Sequence, residues 1–259
     1  MNSEYREPIG IIQSRGLGDI LIALPIAKYF YDRGRKVVWP ICQEFYGSVK
    51  DTAPWVDWIP IQTDSRGQFF YERPNFELGK AGCKEIICLY QALSGRPELS
   101  SRNYFQIQKF DEHKYSAAGV PFRFKWTLRN CITRNLEREQ QHFDKVVKSE
   151  GYYVTHLKGS TFKTSIDLSY LPEDWQRIDI DDHMTDCIFD WVKILEGAQA
   201  VITLDSAVSN LIDQFDIDVD KYWIPRSHIH LTPVLGSTWT ILEPPSDSLA
   251  AKTIFGVSK

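Results

Sequence analysis

Pro8-Ile-Gly-Ile-Ile-Gln-Ser-Arg-Gly-Leu-Gly-Asp19 begins the stretch, running on to Trp39, whose reading decides the fold. The apolar run Ile9–Gln13 meets a tight loop, Ser14–Asp19. Ile20-Leu-Ile-Ala-Leu-Pro-Ile-Ala-Lys-Tyr-Phe-Tyr31 then has helical apolar spacing, and Val37-Val-Trp39 is rich in β formers. The pattern predicts a βαβ unit with glycines at the strand-to-helix turn. Gly16 and Gly18 permit close approach of backbone to a ligand, with Arg15 beside them, and the helix start carries partial positive charge.

The loop departs from the dinucleotide fingerprint, because Asp19 stands where a third glycine or small residue is expected. A fixed anion there competes with a phosphate for the same amides, and the helix end favours its ionised form. Asp19 is therefore a candidate general base. The same position also suits a helix N-cap.

Outward from this unit the chain keeps alternating. Gln43–Lys50 and Phe110–Ala118 read as helices, Trp58–Ile61 as a strand, and Cys83–Leu93 as either a strand or a buried helix. Glu137–Glu150 reads as a helix closed by Gly151. Then come strands at Tyr152–His156 and Arg177–Ile180, an amphipathic helix over Thr185–Glu196, a strand at Ala200–Leu204, a helix over Ala207–Phe215, and strands at Tyr222–Ile224 and Trp239–Leu242. This predicts an α/β protein with two Rossmann-like domains facing a cleft, 1–150 and 151–259.

Composition narrows the class. The chain has 259 residues, 43% hydrophobic and 25% charged, with a net charge of −4. No apolar run is long enough to span a bilayer, and Met1–Glu7 lacks signal-peptide character, so a cytoplasmic protein is expected. Five scattered cysteines fit reduced thiols better than a disulfide framework. From Arg96 to Arg134 eight Lys/Arg face three acids, whereas Thr164–Asp220 holds fourteen acids and two basic residues. The basic segment 96–134, interleaved with Phe122, Phe124 and Trp126, is a candidate surface for an anionic partner, DNA included.

Two loops in the second half suit a diphosphate. Leu204-Asp205-Ser206-Ala207 leads from a strand into a helix, with Ser209 one turn on. His156-Leu-Lys158-Gly159-Ser160, with Lys163 beyond, also follows a strand. Asp179-Ile-Asp181-Asp182-His183 resembles an Asp-x-Asp metal signature, but a three-residue acidic match is common by chance, and no metal is assigned to it. Neither Gly-x-Ser-x-Gly nor Gly-Lys-Ser/Thr occurs, so serine hydrolase and P-loop readings find no support.

Gly18-Asp-Ile-Leu-Ile-Ala-Leu-Pro25, with its helix and Val37-Val-Trp39, resembles the N-terminal motif of family 9 glycosyltransferases, the heptosyltransferase-like group. Ile194–Leu211, which contains Thr203-Leu-Asp-Ser-Ala-Val-Ser-Asn210, resembles that family's second motif, with Ala207 in place of its usual glycine. The resemblance implies a GT-B fold and transfer from a nucleotide-diphosphate sugar to an acceptor hydroxyl, usually inverting and without a metal. It implies Asp19 as the catalytic carboxylate, an N-terminal acceptor domain, and a C-terminal donor domain with Ser206 and its neighbours on the donor diphosphate. The acceptor would be a glycan, a phospholipid-linked sugar or a hydroxylated DNA base. The competing readings are a non-catalytic nucleotide or nucleotide-sugar binding protein and a nicotinamide-dependent oxidoreductase. The latter is disfavoured by the missing third glycine and by Trp39-Pro40 where an acid would end the second strand.

Overall fold

The computed structural model describes residues 6–62, 68–90, 108–159, 163–180, 185–226, 232–236 and 238–242. The chain divides into two compact units, 1–133 and 134–259. The first unit carries a parallel sheet in the order β3-β2-β1-β4, formed by β1 (Arg6–Ile12), β2 (Arg35–Cys42), β3 (Val56–Ile61) and β4 (Glu85–Cys88). The second carries β6-β5-β7-β8-β9, also parallel: β5 (Tyr152–His156), β6 (Gln176–Asp179), β7 (Ala200–Leu204), β8 (Asp220–Ile224) and β9 (Thr240–Ile241). The fold is α/β and GT-B-like, with two Rossmann-like parallel sheets.

In the first unit α1 (Leu17–Tyr31) is buried continuously from Ile20 to Ala27, so it is a core helix and not an amphipathic surface one. It runs through Pro25 without ending. Gly10 in β1 is there for space: a Cβ would lie 2.8 Å from a Leu78 methyl on α3 (Arg73–Lys80). Further helices are α2 (Gln43–Val49) and α4 (Phe110–Ala118), which ends at Gly119 in the left-handed region. A 3-10 segment, Phe122–Cys131, lies along α1, with Tyr29 edge-on to Phe124 at 5.1 Å between ring centroids. β2 continues past Trp39-Pro40 to Cys42, and Pro40 lies outside the β1 register, which ends at Val38.

The second unit begins at Arg134, upstream of the expected Gly151. Ion pairs explain the shift. Arg134 meets Glu139 and Glu196, and Arg138 meets Asp190 at 2.8 Å, which joins α5 (Leu136–Val146) to the 188–197 stretch. That helix ends at Val146, so Gly151 does not cap it. Gly151 instead makes room for Trp175, whose ring would sit 2.8 Å from a Cβ. The predicted Thr185–Glu196 helix is a 3-10 turn, Ile188–Trp191, followed by the short α6 (Val192–Gly197). α7 (Ala207–Gln214) follows β7.

Candidate active site

The β1–α1 loop is built on buried polar groups. Gln13 is fully buried; its Nε2 donates to the Arg15 carbonyl at 2.9 Å, and its own carbonyl accepts from Trp39 Nε1 at 3.1 Å. The Arg15 amide donates to the Tyr90 hydroxyl oxygen at 2.9 Å, and the Arg15 side chain pairs with Glu44 at 3.1 Å. Burial pushes the Tyr90 phenol well above its ordinary range, and the Asp19 charge adds to this, so the hydroxyl stays neutral. Gly16 has φ +86° and occupies the N-cap of α1. A Cβ there would stand 2.6 Å from Asp19 Oδ2, so glycine is required by both backbone and carboxylate. Gly18 lies within the first turn.

Asp19 is not the N-cap. It lies in the first turn, and its Oδ1 is 3.1 Å from Lys114 Nζ. The lysine side chain is 5% exposed and the aspartate side chain 38%, so one end of the pair is buried and the other open. Lys114 Nζ also donates to Gln13 Oε1 at 2.6 Å and to the Leu89 carbonyl at 3.3 Å. The sequence reading missed Lys114, Gln13 and Tyr90. Lys114 was counted there as one of eight basic residues on a prospective surface.

Among the described residues, the basic side chains of this segment divide between buried and exposed positions. Lys125 is buried on Asp111 at 2.8 Å, Lys114 is buried on Asp19, and Arg134 is paired within the second unit. Of the eight, Arg96 and Arg102 lie outside the described residues, and among the rest Arg123 and Arg129 are exposed. Phe122 packs edge-on against Tyr115 and Trp126, and Phe124 against Tyr29, so these half-buried rings are engaged with neighbours in their own unit.

In the second unit, β5 and β7 are neighbours, with His156 opposite Thr203, which brings their carboxyl ends together. His156 Nδ1 lies 3.0 Å from Ser206 Oγ, both residues being buried. Ser206 caps α7 and Ser209 completes the capping box: each side chain meets the other's amide. Ser209 is fully buried and its hydroxyl also donates to the Ser206 carbonyl at 2.9 Å. The Asp205 amide donates to the Ile224 carbonyl, and its carboxylate lies 3.8 Å from Arg226. The amides of Ala207 and Val208, two of the first-turn donors that a helix leaves unpaired, have no partner among the described residues.

On the β5–β6 side of the sheet, a pocket of ≈ 360 Å³ is lined by Lys158, Lys163, Thr164, Arg177 and Asp179, among others. Lys158 and Lys163 pair across the loop as an antiparallel bridge, with Gly159 between them, and both lysines are exposed. Asp179 accepts from Thr155 and, at 2.8 Å, from Arg177. Ser160, Asp181, Asp182 and His183 lie outside the described residues. Among the described residues no three His, Cys, Asp or Glu side chains gather as a metal cluster, and no helix is long and apolar enough to cross a membrane. All five cysteines are free thiols.

No family model matches the chain, and no curated protein does. Solved structures do. The family 9 glycosyltransferase from Veillonella parvula DSM 2008 aligns at TM-score 0.57 and 12% identity, over 94% of this chain and 88% of that one. E. coli ADP-heptose LPS heptosyltransferase II aligns at 0.53 and 9%, over 92% and 90%. The iron-containing dodecameric glycosyltransferase TibC from enterotoxigenic E. coli H10407 aligns at 0.52 and 14%, over 86% of this chain; this chain spans 59% of the TibC length. By its two parallel sheets and these alignments, the chain has the fold of the family 9 glycosyltransferases.

Proposed function

We propose that this protein is a glycosyltransferase that moves a sugar from a nucleotide-diphosphate sugar to an acceptor hydroxyl. The observation that carries the reading is the half-open carboxylate of Asp19, held at the start of α1 by a buried ammonium. In the proposed reaction an acceptor oxygen bonds to the anomeric carbon as the bond from that carbon to the diphosphate breaks. Asp19 takes the acceptor proton, the nucleoside diphosphate leaves, and the sugar is inverted. The open amides of Ala207 and Val208, the dipole of α7 and the lysines of the 158–163 loop stabilise the departing charge, with no bridging metal required. Ser206, Ser209 and His156 act through the cap that shapes this turn. The acceptor is a glycan or lipid-linked sugar or a hydroxylated DNA base; the internal placement of Lys114 and Lys125 withdraws support from a polyanion surface. Support for a nucleotide sugar also comes from the fold relatives, one of which is TibC in complex with ADP-D-β-D-heptose.

The test is Ala207→Glu. A glutamate in the first turn suits the helix, so the fold survives, but it places an anion where the diphosphate is proposed to sit. Affinity for nucleoside diphosphates should fall about tenfold or more, equivalent to about 1.4 kcal/mol, by calorimetric titration. Unchanged affinity would remove α7 from the donor site. Binding that proceeds with no turnover of any nucleotide sugar would leave a binding protein instead. Transfer abolished by EDTA and restored by Mn²⁺ would put a metal in the mechanism.

A further inference from the structure

Lys114 is the least expected residue of the first unit. It sits on α4, away in sequence from the loop it touches, with its ammonium out of water. Three oxygens surround Nζ: Gln13 Oε1 at 2.6 Å, Asp19 Oδ1 at 3.1 Å and the Leu89 carbonyl at 3.3 Å. An ammonium has three hydrogens to place, and three acceptors are present. The rings of Tyr90 and Phe110 lie at 5.9 Å on its remaining sides. Of the three oxygens, Asp19 alone is charged. Burying a lysine is costly unless a partner offsets the lost hydration, and an apolar residue would fill the same space without that cost.

The arrangement brackets one loop. Gln13 precedes the β1–α1 turn and Asp19 lies in the first turn of the helix that follows it, and one cation holds both. Gln13 carries the constraint on to the Arg15 carbonyl through Nε2. The lysine takes Oδ1, while the Asp19 side chain as a whole stays 38% exposed. A base that must meet an acceptor hydroxyl within a fraction of an ångström benefits from having its rotamer fixed in this way.

We propose that Lys114 is a positioning residue: it orients the Asp19 carboxylate for proton abstraction from the acceptor and acts on the reaction only through Asp19. The proposal rests on the transferase reading above. A double-mutant cycle tests it, with Lys114→Met, Asp19→Asn and the pair, each checked for native circular dichroism. Lys114→Met should lower kcat about 10- to 100-fold while leaving the affinity for nucleoside diphosphate within about twofold. In the Asp19→Asn background the same substitution should change kcat by less than about twofold, because the group it serves is already gone. A residue with a merely structural role would cost the same in both backgrounds, and equal losses would overturn the proposal while leaving the transferase intact. Wild-type protein that turns over no nucleotide sugar would overturn both. Should Lys114→Met fail to fold, Lys114→Gln keeps a donor for Gln13 and Leu89 without the charge, and the cycle is read from it.

Discussion

At the scale of single residues, Asp19 and Gly16 are tied together. Asp19→Asn should lower turnover about 100-fold or more, since an amide cannot accept the proton. It should also lower the melting temperature, because Lys114 would keep only neutral oxygens among the described residues; we expect a loss of about 1 kcal/mol, modest because Asp19 is partly in water. A variant with full turnover would sink the base assignment. Gly16→Ala places a side chain at φ +86° and against Asp19 Oδ2, so turnover should fall together with stability while diphosphate affinity holds. Equal loss of diphosphate affinity would show that the first loop also serves the donor. Asp19 was legible as a carboxylate at the start of α1, because its neighbours in sequence make the turn. Lys114 was not, because a buried ammonium and a solvated one look alike in sequence, and only the packing of α4 brings it to Asp19.

Among the elements, α5 shows how a polar helix becomes structural. Its sequence marks it as a helix, but its attachment to the second unit depends on long-range pairs of Arg134 and Arg138 that periodicity does not encode. His142 on its inner side is 7% exposed and meets Trp191 edge-on at 4.6 Å. Burial lowers its pKa below the ordinary histidine value, with Asp190 opposing and Lys145 and Arg138 reinforcing. The folded state therefore prefers the neutral ring. The stability this gives is complete above the ordinary histidine pKa of about 6.5 and is lost as the pH falls below it. Melting of the wild type should drop from pH 7.5 to 5.5, and His142→Phe should drop less; parallel curves would show that the histidine is not the source. The strands were the most legible elements, since short apolar runs such as Tyr152–His156 and Ala200–Leu204 match the fully buried strands of parallel sheets. Thr185–Glu196 was less so: Asp190 turns inward to Arg138 and Thr185, and a 3-10 turn replaces the first half of the expected helix.

At the scale of the whole molecule, each unit has its own parallel sheet and its own buried core. Residues 134–259, expressed alone, should therefore melt cooperatively by circular dichroism, whereas 151–259, lacking α5, should melt lower or without a clear transition. Equal melting of the two would show that α5 adds nothing to the second unit. The two-domain plan was legible from the repeated alternation of strand and helix, but its boundary depended on ion pairs distant in sequence. One rim of the first sheet has a further consequence. β3 is an outer strand of only six residues, with Pro60 in it and an exposed Asp57 bound to Lys36 at 2.8 Å. Proline offers no amide to an incoming chain, and a charge on the rim disfavours stacking of like copies. Such a strand makes a poor template for intermolecular cross-β growth, so crowded or heated solutions of this protein should resist fibril formation at this rim, and Pro60→Val should forfeit that protection.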